Sequence, residues 1–554
     1  MGGFQVIRHV PIIIIISPLA GAIILELISK FDPPQRLKDT LTLIALSLPV
    51  ILLFTITPRS LEEPIYYELG GWEIPYGITL VMDNLSVMMS GIVGIVTLTT
   101  FVYSLESKKM LPKGDRYYFL FLFMTTGLYG VFLTGDLIMR YEFFEVTVLA
   151  TYVLLTYTKT KESLRASFYY LIIGSVSTFL FLVGIGLIYF NVGFLDLKEI
   201  GEILPTVPVP ARILIFSFFM VTIGVKSGLV PFHTWLPDAH VSAPTPITAV
   251  LAGLTVKVGL YMLFRTLGVG FDIPAILNIV ILFGLATGII GALMTFKYWD
   301  IKRILTWHTI AQVGLITAAV GIWSPSSVSS ALYHMVNHSI FKPLLFLSAG
   351  SFIFLYGTGD IREISLKKGH PILASTFLIG LLALIGLPPL NGFYSKALVL
   401  ESAFTRPLVL VPLVIIHVLI AASVFRIIYH ASKEGKYIEA PISMMKPIII
   451  LAGLTIFIGT TSTIWMNNII IPGAAVLVGN NAVLSNTYLE FSVLISKGGL
   501  LLLGTLPIAF ILYPLFEQVK HVDVKRIISE VSLTDAVRYI LVGQGIVIAL
   551  ILLY

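Results

Sequence analysis

The chain has 554 residues, of which 57% are hydrophobic and 12% charged, and its mean hydropathy is +0.95. These values exclude an ordinary soluble globular protein and indicate one membrane domain in a lipid bilayer. The 36 Lys and Arg exceed the 30 Asp and Glu but lie in short loops between apolar runs, which excludes nucleic acid as the expected partner, and the lack of cysteine excludes disulfides and cysteine-held iron–sulfur clusters in this chain.

Apolar runs long enough for a bilayer-spanning helix, about 20 residues, occur throughout the chain. The first run, VPIIIIISPLAGAIILELI, lacks a convincing basic start and leads straight into further runs, so we expect a span and not a cleaved signal peptide. The scan predicts fourteen spans and two more near the C-terminus. Their approximate centres are residues 20, 48, 93, 125, 147, 178, 222, 255, 285, 312, 342, 385, 418, 457, 507 and 545.

Basic residues fall in every second loop if these spans alternate across the membrane. The positive-inside rule makes that side cytoplasmic and both termini external, in the plasma membrane of a prokaryote. The basic clusters lie at residues 30–38, 108–116, 159–165, 297–303, 362–368, 433–436 and 520–526.

Two apolar runs contain glycine and proline near their centres, GLVPFHTW at 228–235 and GLPPLNGF at 386–393. Proline removes a backbone donor and clashes with the preceding turn, so both helices are predicted to be broken within the membrane. Paired broken helices point to an inverted-repeat transporter with its ion path at the breaks. The alternative is two ordinary proline kinks in a packed bundle.

Ionisable residues stand inside the predicted spans, although each costs at least about 2.5 kcal/mol at a helix centre. A function or a set of charge partners is needed to retain them. The candidates for a proton-translocation axis are Glu145, Lys226, Lys257, His334, His338, Lys342 and Lys396.

A proton path needs groups whose proton affinities can be tuned by their surroundings. Lys226 beside a carboxylate stays protonated and can release its proton when the two separate, which makes a switching ion pair a proton valve. His334 and His338 are four residues apart on one helical face, with Lys342 one step further. The alternatives are lysines that snorkel to the interface, and histidines that bind haem or a metal or are hydrogen-bonded in the core.

Other charged residues lie near the predicted span ends. For His233, Asp238 and His240 a capping or entry-path role and a direct protonic role remain open. Asp136 and Arg140 are predicted to pair at the outer edge, because they are four residues apart.

Five segments together resemble the proton-conducting antiporter-like proteins of complex I, of Mrp antiporters (the D type), and of membrane-bound hydrogenases and sulfur-reducing complexes. The resemblance extends over about residues 70 to 430. The segments are residues 136–145, KSGLVPFHTWLPDAHVSAPTPITAVLAGLTVKVGLYMLFR at 226–265, DIKRILTWHTIAQVG at 300–314, HMVNHSIFKPLLFLSAG at 334–350 and GLPPLNGFYSK at 386–396.

The resemblance implies an all-α fold of fourteen core helices with two inverted five-helix repeats, in which the broken helices are helices 7 and 12. About two extra C-terminal helices, predicted from the apolar runs, lie beyond this core. Helices 1–3 then occupy residues 1–110, the repeats 111–270 and 271–435, and the C-terminal helices 436–554. It also implies that Glu145 partners Lys226 and that Lys396 gates the far end. Lys257, His338 and Lys342 form the middle of the axis, with help from His334.

The chain departs from its relatives at Arg140, Glu142 and His308, and in its two last spans, joined by EQVKHVDVKRIISEVSLTD, a stretch that we expect to be a short interfacial helix. The lysine at 396 resembles the D type of Mrp antiporters and some complex I members, since other members of the family carry glutamate there.

The expected function is translocation of protons or sodium ions by a membrane subunit within a respiratory complex related to complex I and membrane-bound hydrogenase. Fe–S clusters or a Ni–Fe site are expected only in partner subunits. A component of an Mrp Na+/H+ antiporter without a redox partner is the alternative. A passive membrane anchor for a redox enzyme is a third hypothesis, and the sequence does not decide between protons and sodium.

Overall fold

The computed structural model describes residues 8–60, 63–74, 76–107, 116–367, 370–432, 441–479 and 490–518. Within these ranges twelve helices are long and apolar enough to cross a membrane, and three shorter apolar helices accompany them. The protein is therefore a mostly helical membrane protein, as the composition predicts.

The first half of the chain contains helices α1 to α8 and a β-hairpin. Two short segments, Leu197–Ile203 and Leu236–Ser242, are also helical. The bounds are α1 Val10–Ser29, α2 Gln35–Ser60, β1 Ile65–Glu68, β2 Thr79–Met82, α3 Asn84–Ser107, α4 Tyr117–Leu133, α5 Leu137–Leu155, α6 Lys161–Val192, α7 Val209–Ser227 and α8 Thr245–Phe271.

The second half contains α9 to α16 and the short helix Glu490–Leu494. The bounds are α9 Pro274–Met294, α10 Ile301–Ile322, α11 Pro325–Tyr356, α12 Pro371–Ile385 with its continuation Asn391–Ser402, α13 Pro407–Ala431, α14 Ile442–Thr460, α15 Ser462–Val478 and α16 Lys497–Gln518.

The β-hairpin is an element that the all-α prediction did not include. Strands β1 and β2 pair antiparallel, with Ile65 opposite Met82 and Glu68 opposite Thr79. Each strand has only four residues, too few to register in a scan for long apolar runs.

Helix α15 is also absent from the predicted spans. It follows α14 after the single residue Thr461, and its centre contains a π-helical turn at Met466–Ile470 with two asparagines. These polar residues lower the local hydropathy, so the hydropathy pattern does not separate α15 from the preceding predicted span. The predicted span centred near residue 545 and the predicted interfacial helix, apart from its first residues, lie outside the described residues.

Both predicted helix breaks are present. Helix α7 ends at Gly228 and the first half of α12 ends at Gly386, each glycine in the left-handed region with φ of 73° and 78°. This conformation strains residues with a Cβ, so glycine is the residue that the turn requires. Leu236–Ser242 continues α7 and Asn391–Ser402 continues α12, and an X–Pro bond in each break is cis.

Two parts of the chain share a sequence of local features 164 residues apart. Asp136 caps α5 and forms an isolated backbone β-bridge with Asp196. Asp300 caps α10 and forms the same kind of β-bridge with Asp360. The next helices, α6 and α11, are both 32 residues long and both begin with a reciprocal hydroxyl capping box.

The centre of the bundle is formed by α8 and α10, each of which has an 18-residue apolar stretch that is buried throughout, and by most of α11. Helices α9 and α10 approach closely through small residues: a Cβ added to Gly314 would lie 2.2 Å from the backbone nitrogen of Gly288. In contrast, about a third or less of α1, α2 and α16 is fully buried, and these helices lie at the periphery. The predicted ionisable residues of α8 and α11 therefore lie in the best-shielded part of the protein.

Candidate functional site

The seven predicted axis residues come from five segments that meet inside the bundle. Glu145 is half-buried on α5, whereas the other six are 3% exposed or less. None of these six side chains reaches the lipid-facing surface, so the structure does not place them as snorkelling residues.

Lys226 lies in the last turn of α7, two residues before the break at Gly228. Its ammonium group makes no hydrogen bond with a described protein group and lies 5.8 Å from the centre of the Phe144 ring. Glu145 acts on it electrostatically but accepts its own hydrogen bond from Thr178 on α6. The expected partners thus face each other without a direct hydrogen bond.

Lys257 lies just after a π-helical turn, Leu251–Thr255, in the middle of α8. Its ammonium group donates to the carbonyl oxygen of Ala252 within that turn. A π-turn is wider than an α-turn and leaves carbonyl groups open to a side-chain donor. The local irregularity of the helix therefore provides the ligand for this buried lysine.

The three candidates on α11 have different surroundings. His334 contacts Gln312 Oε1 on α10 at 2.6 Å and Ser395 Oγ on α12 at 2.9 Å, through its two ring nitrogens. His338 has no protein partner for either nitrogen, and its ring lies 6.2 Å from that of His334. Lys342 donates to Leu305 O on α10 at 2.8 Å. The row of side chains on one face of α11 is present as predicted.

Lys396 lies after the second break and reaches back across it. Its ammonium group donates to Leu384 O, in the last turn of the half-helix before the break. The C-terminal end of a helix carries a partial negative charge, which favours a cation there. Lys226 and Lys396 thus both lie at the C-terminal end of a half-helix.

Within the described residues, four buried histidines lie outside the predicted axis: His233, His240, His308 and His417. His308 on α10 contacts Ser423 Oγ on α13 at 3.2 Å, and His240 contacts Thr306 Oγ1 at 3.3 Å. His417 on α13 is 1% exposed, and neither ring nitrogen has a protein partner. The test that selected the other residues, an ionisable group inside an apolar run, also selects His417.

The charged residues near the span ends are mostly in structural contacts. Asp238 is exposed and forms an ion pair with Arg303 at 3.2 Å, and the buried His233 packs its ring 5.4 Å from the ring of Trp307. Within the described residues, no group of three or more His, Asp or Glu side chains is placed to hold a metal ion.

Asp136 and Arg140 attract each other electrostatically, as predicted for a pair, but their side chains bind other groups. Asp136 accepts from the backbone of Met139, and Arg140 donates to the carbonyl oxygen of Thr134 at 2.7 Å. Helix capping by the aspartate competes with the i, i+4 pair.

Residues 134–421, which include both broken helices and the buried row, match the family described as NADH:quinone oxidoreductase/Mrp antiporter, transmembrane. The chain belongs to this family. It is 36% identical over 415 residues to the D component of the Na(+)/H(+) antiporter of Alkalihalophilus pseudofirmus, a match to 71% of this chain and 82% of the relative. The resemblance seen in the sequence is therefore confirmed.

Solved structures of large membrane complexes contain a chain with the same fold. One is the membrane-bound sulfane sulfur reductase, an archaeal respiratory membrane complex, with a TM-score of 0.79, 26% identity, and coverage of 87% of this chain and 100% of that one. Another is the Mrp complex from a Dietzia species, with a TM-score of 0.76, coverage of 88% and 99%, and 21% identity, which shows the fold alone. The chain thus shares its fold with a chain of each of these two complexes.

Proposed function

We propose that this chain translocates protons or sodium ions across the plasma membrane of a prokaryote, along Glu145, Lys226, Lys257, His334, His338, Lys342 and Lys396. The observation that carries the proposal is the set of buried polar atoms without protein partners at these residues and beside them. The set includes Lys226 Nζ, both nitrogens of His338, Gln312 Nε2, Asn337 Oδ1 and His308 Nδ1.

Buried polar groups in proteins are almost always hydrogen-bonded, to protein or to ordered water. Groups that are completely enclosed and lack protein partners are therefore binding places for water. A line of such waters between imidazole and amine groups passes protons by exchange of hydrogen bonds. Such waters favour a hydrated proton path over an inert membrane anchor, in which the charges would have structural partners only.

The first break provides the valve. Lys226 faces Glu145 without a direct hydrogen bond, so its proton is held more weakly than in a closed ion pair. Movement of either side chain by one rotamer closes or opens the pair. Opening the pair favours proton release from Lys226 toward Lys257. This release is therefore coupled to the position and charge of Glu145.

The repeat layout supports two half-channels. We assign residues 111–270 and 271–435 to two inverted repeats, because the paired aspartates and capping boxes recur 164 residues apart. Five helices separate the copies, so the equivalent features lie on opposite sides of the membrane. Residues 1–110 and 436–554 provide the flanking helices, and the N-terminus is external in this topology.

The assembly type is the finer part of the proposal. The relatives at 36% and 30% identity are D components of Na(+)/H(+) antiporters, which favours a multi-subunit Mrp antiporter without a redox partner. A respiratory complex with Fe–S or Ni–Fe partner subunits is the second candidate, since the chain of the reductase is matched over its full length with a TM-score of 0.79. Identifying the subunits that copurify with the chain distinguishes the two.

The central test is Lys226→Ala in everted membrane vesicles that contain the whole complex. Proton movement is followed with a pH-sensitive dye after addition of NaCl or of an electron donor. We expect flux to fall at least about 100-fold, since a positioned acid–base group contributes that much to proton transfer, while the complex still copurifies. Lys198→Ala, at an exposed lysine, is the matched control. Unchanged flux in Lys226→Ala contradicts the proposal.

A further inference from the structure

His417 is a buried ionisable residue to which the axis described above gives no role. It lies near the middle of α13, is 1% exposed, and has no hydrogen-bond partner for either ring nitrogen in the part of the chain that the structure describes. Helix α13 packs against α16, α9, α10 and both halves of α12. Lys396 and His334 are the charged and titratable groups that act on the His417 ring electrostatically.

Hydrogen bonds from neighbouring side chains hold the ring of His334 in place, since both its nitrogens make such contacts. His417 makes no such contact with the described residues, so both its nitrogens remain open to water. An imidazole in that setting can accept and donate a proton.

The position of His417 matches that of Lys257 in the other repeat. Helices α8 and α13 are the fifth helices of the two repeats. Lys257 lies twelve residues after Thr245, and His417 lies ten residues after Pro407. At 1.5 Å per residue, both groups are roughly 15–18 Å from the start of their helix, near the membrane centre from opposite sides.

The second repeat also lacks the acid of the first. The residue 164 positions after Glu145 is Thr309, which bonds to its own helix at Leu305 O. Lys396 therefore has no carboxylate at the equivalent place, and the titratable groups that interact with it are Lys342 and histidines, among them His334 and His417. A proton that leaves Lys396 needs a further acceptor, and His417 on α13 is a candidate that the axis does not yet use.

We propose that His417 is a further proton-carrying residue, which exchanges protons with Lys396 and so extends the path into α13. In this step an N–H bond of the Lys396 ammonium breaks and an N–H bond of the imidazole forms, directly or through one water. The amine becomes neutral, and the imidazolium passes its proton on to water. This inference rests on the proposed function of the chain.

The test compares two substitutions in the intact complex, with the vesicle assay of proton flux. His417→Gln keeps the size and the hydrogen-bonding capacity of the side chain but cannot carry the proton, and we expect flux to fall at least about tenfold. His417→Lys restores a titratable group, as Lys257 provides in the first repeat, and we expect recovery to within about threefold of the unmodified complex, since lysine also serves as an acid–base group. His430→Gln, on the same helix but at its end, is the matched control.

Two outcomes overturn the inference. One is normal flux in His417→Gln. The other is equal loss in the Gln and Lys variants, which indicates a packing role. Loss of flux in Lys226→Ala together with normal flux in His417→Gln removes only this inference, whereas normal flux in Lys226→Ala removes the proposed function as well.

Discussion

Replacement of Gly392 by alanine tests whether the second break must hold its two half-helices in contact. Gly392 is buried in the first turn of Asn391–Ser402, the half-helix that carries Lys396. A Cβ added to it would lie 1.9 Å from the carbonyl oxygen of Ala383, in the last turn before the break. The positions of the added Cβ and of the Ala383 carbonyl oxygen are both determined by the backbone, so rotation of a flexible side chain does not relieve the contact.

The required displacement sets the size of the effect. Carbon–oxygen contacts in proteins need about 3.3 Å, so the two segments must separate by about 1.4 Å. That shift removes the hydrogen bond from Lys396 to Leu384 O and changes the place of its ammonium group. A misplacement of about 1 Å at a reacting group costs roughly 100-fold in rate, which is the loss of flux that we expect for Gly392→Ala.

The measurement is the initial rate of proton flux in vesicles, divided by the amount of assembled complex. Gly453→Ala is the matched control, because no atom lies within 4 Å of a Cβ added at this helical glycine of α14. Glycine-to-alanine changes inside helices normally stabilise by about 0.5–1 kcal/mol, so the control should be neutral or slightly more stable. Normal flux in Gly392→Ala at normal assembly refutes the reasoning.

Two further predictions concern stability and topology. Asp83 forms a buried ion pair with Arg265 at 2.7 Å. Burial alone raises the pKa of the Asp83 carboxyl, but the charge and hydrogen bond of Arg265 together with the hydrogen bonds from Ser86 outweigh it and hold that pKa below its ordinary value. The stabilisation is therefore complete at neutral pH and lost as the pH falls through the lowered pKa. Asp83→Asn should reduce the unfolding free energy by about 3 kcal/mol, measured as a lower melting temperature of the complex. Asp238→Asn, at an exposed ion pair, should change the unfolding free energy by less than about 1 kcal/mol. Equal melting temperatures for the two variants contradict this. Because the chain has no cysteine, Lys161→Cys and Thr405→Cys each introduce a single cysteine that reports the topology. A membrane-impermeant maleimide added to intact cells should label only the Thr405→Cys variant. Labelling of the Lys161→Cys variant contradicts the orientation.

The helix breaks were predictable because their cause is local. Glycine and proline inside an apolar run determine the backbone wherever the helix packs, and both breaks are at the predicted residues. Burial of the ionisable residues was predictable for a similar reason, since a charge in the middle of an apolar run has no route to water along its own helix.

The partners of these residues were not predictable, because they come from other helices or from irregular backbone. The sequence does not show that Lys342 reaches Leu305 O on α10, or that a π-turn presents Ala252 O to Lys257. The hairpin and α15 were missed because they are short or polar. His417 was missed although its signal was present, since no motif of the family resemblance contains it.

The two breaks hold their lysines with different partners, and this difference bears on how the halves are controlled. The residue Lys226 and the ammonium group of Lys396 both lie at the C-terminal end of a half-helix, where the backbone carries about half a negative charge. Of the two lysines, only Lys226 is also acted on electrostatically by a carboxylate, that of Glu145. A carbonyl oxygen such as that of Leu384 cannot gain or lose charge at any pH. We infer that control enters at the first break, through the Glu145–Lys226 distance, and that the second half responds to the proton that arrives from Lys257 and the row on α11.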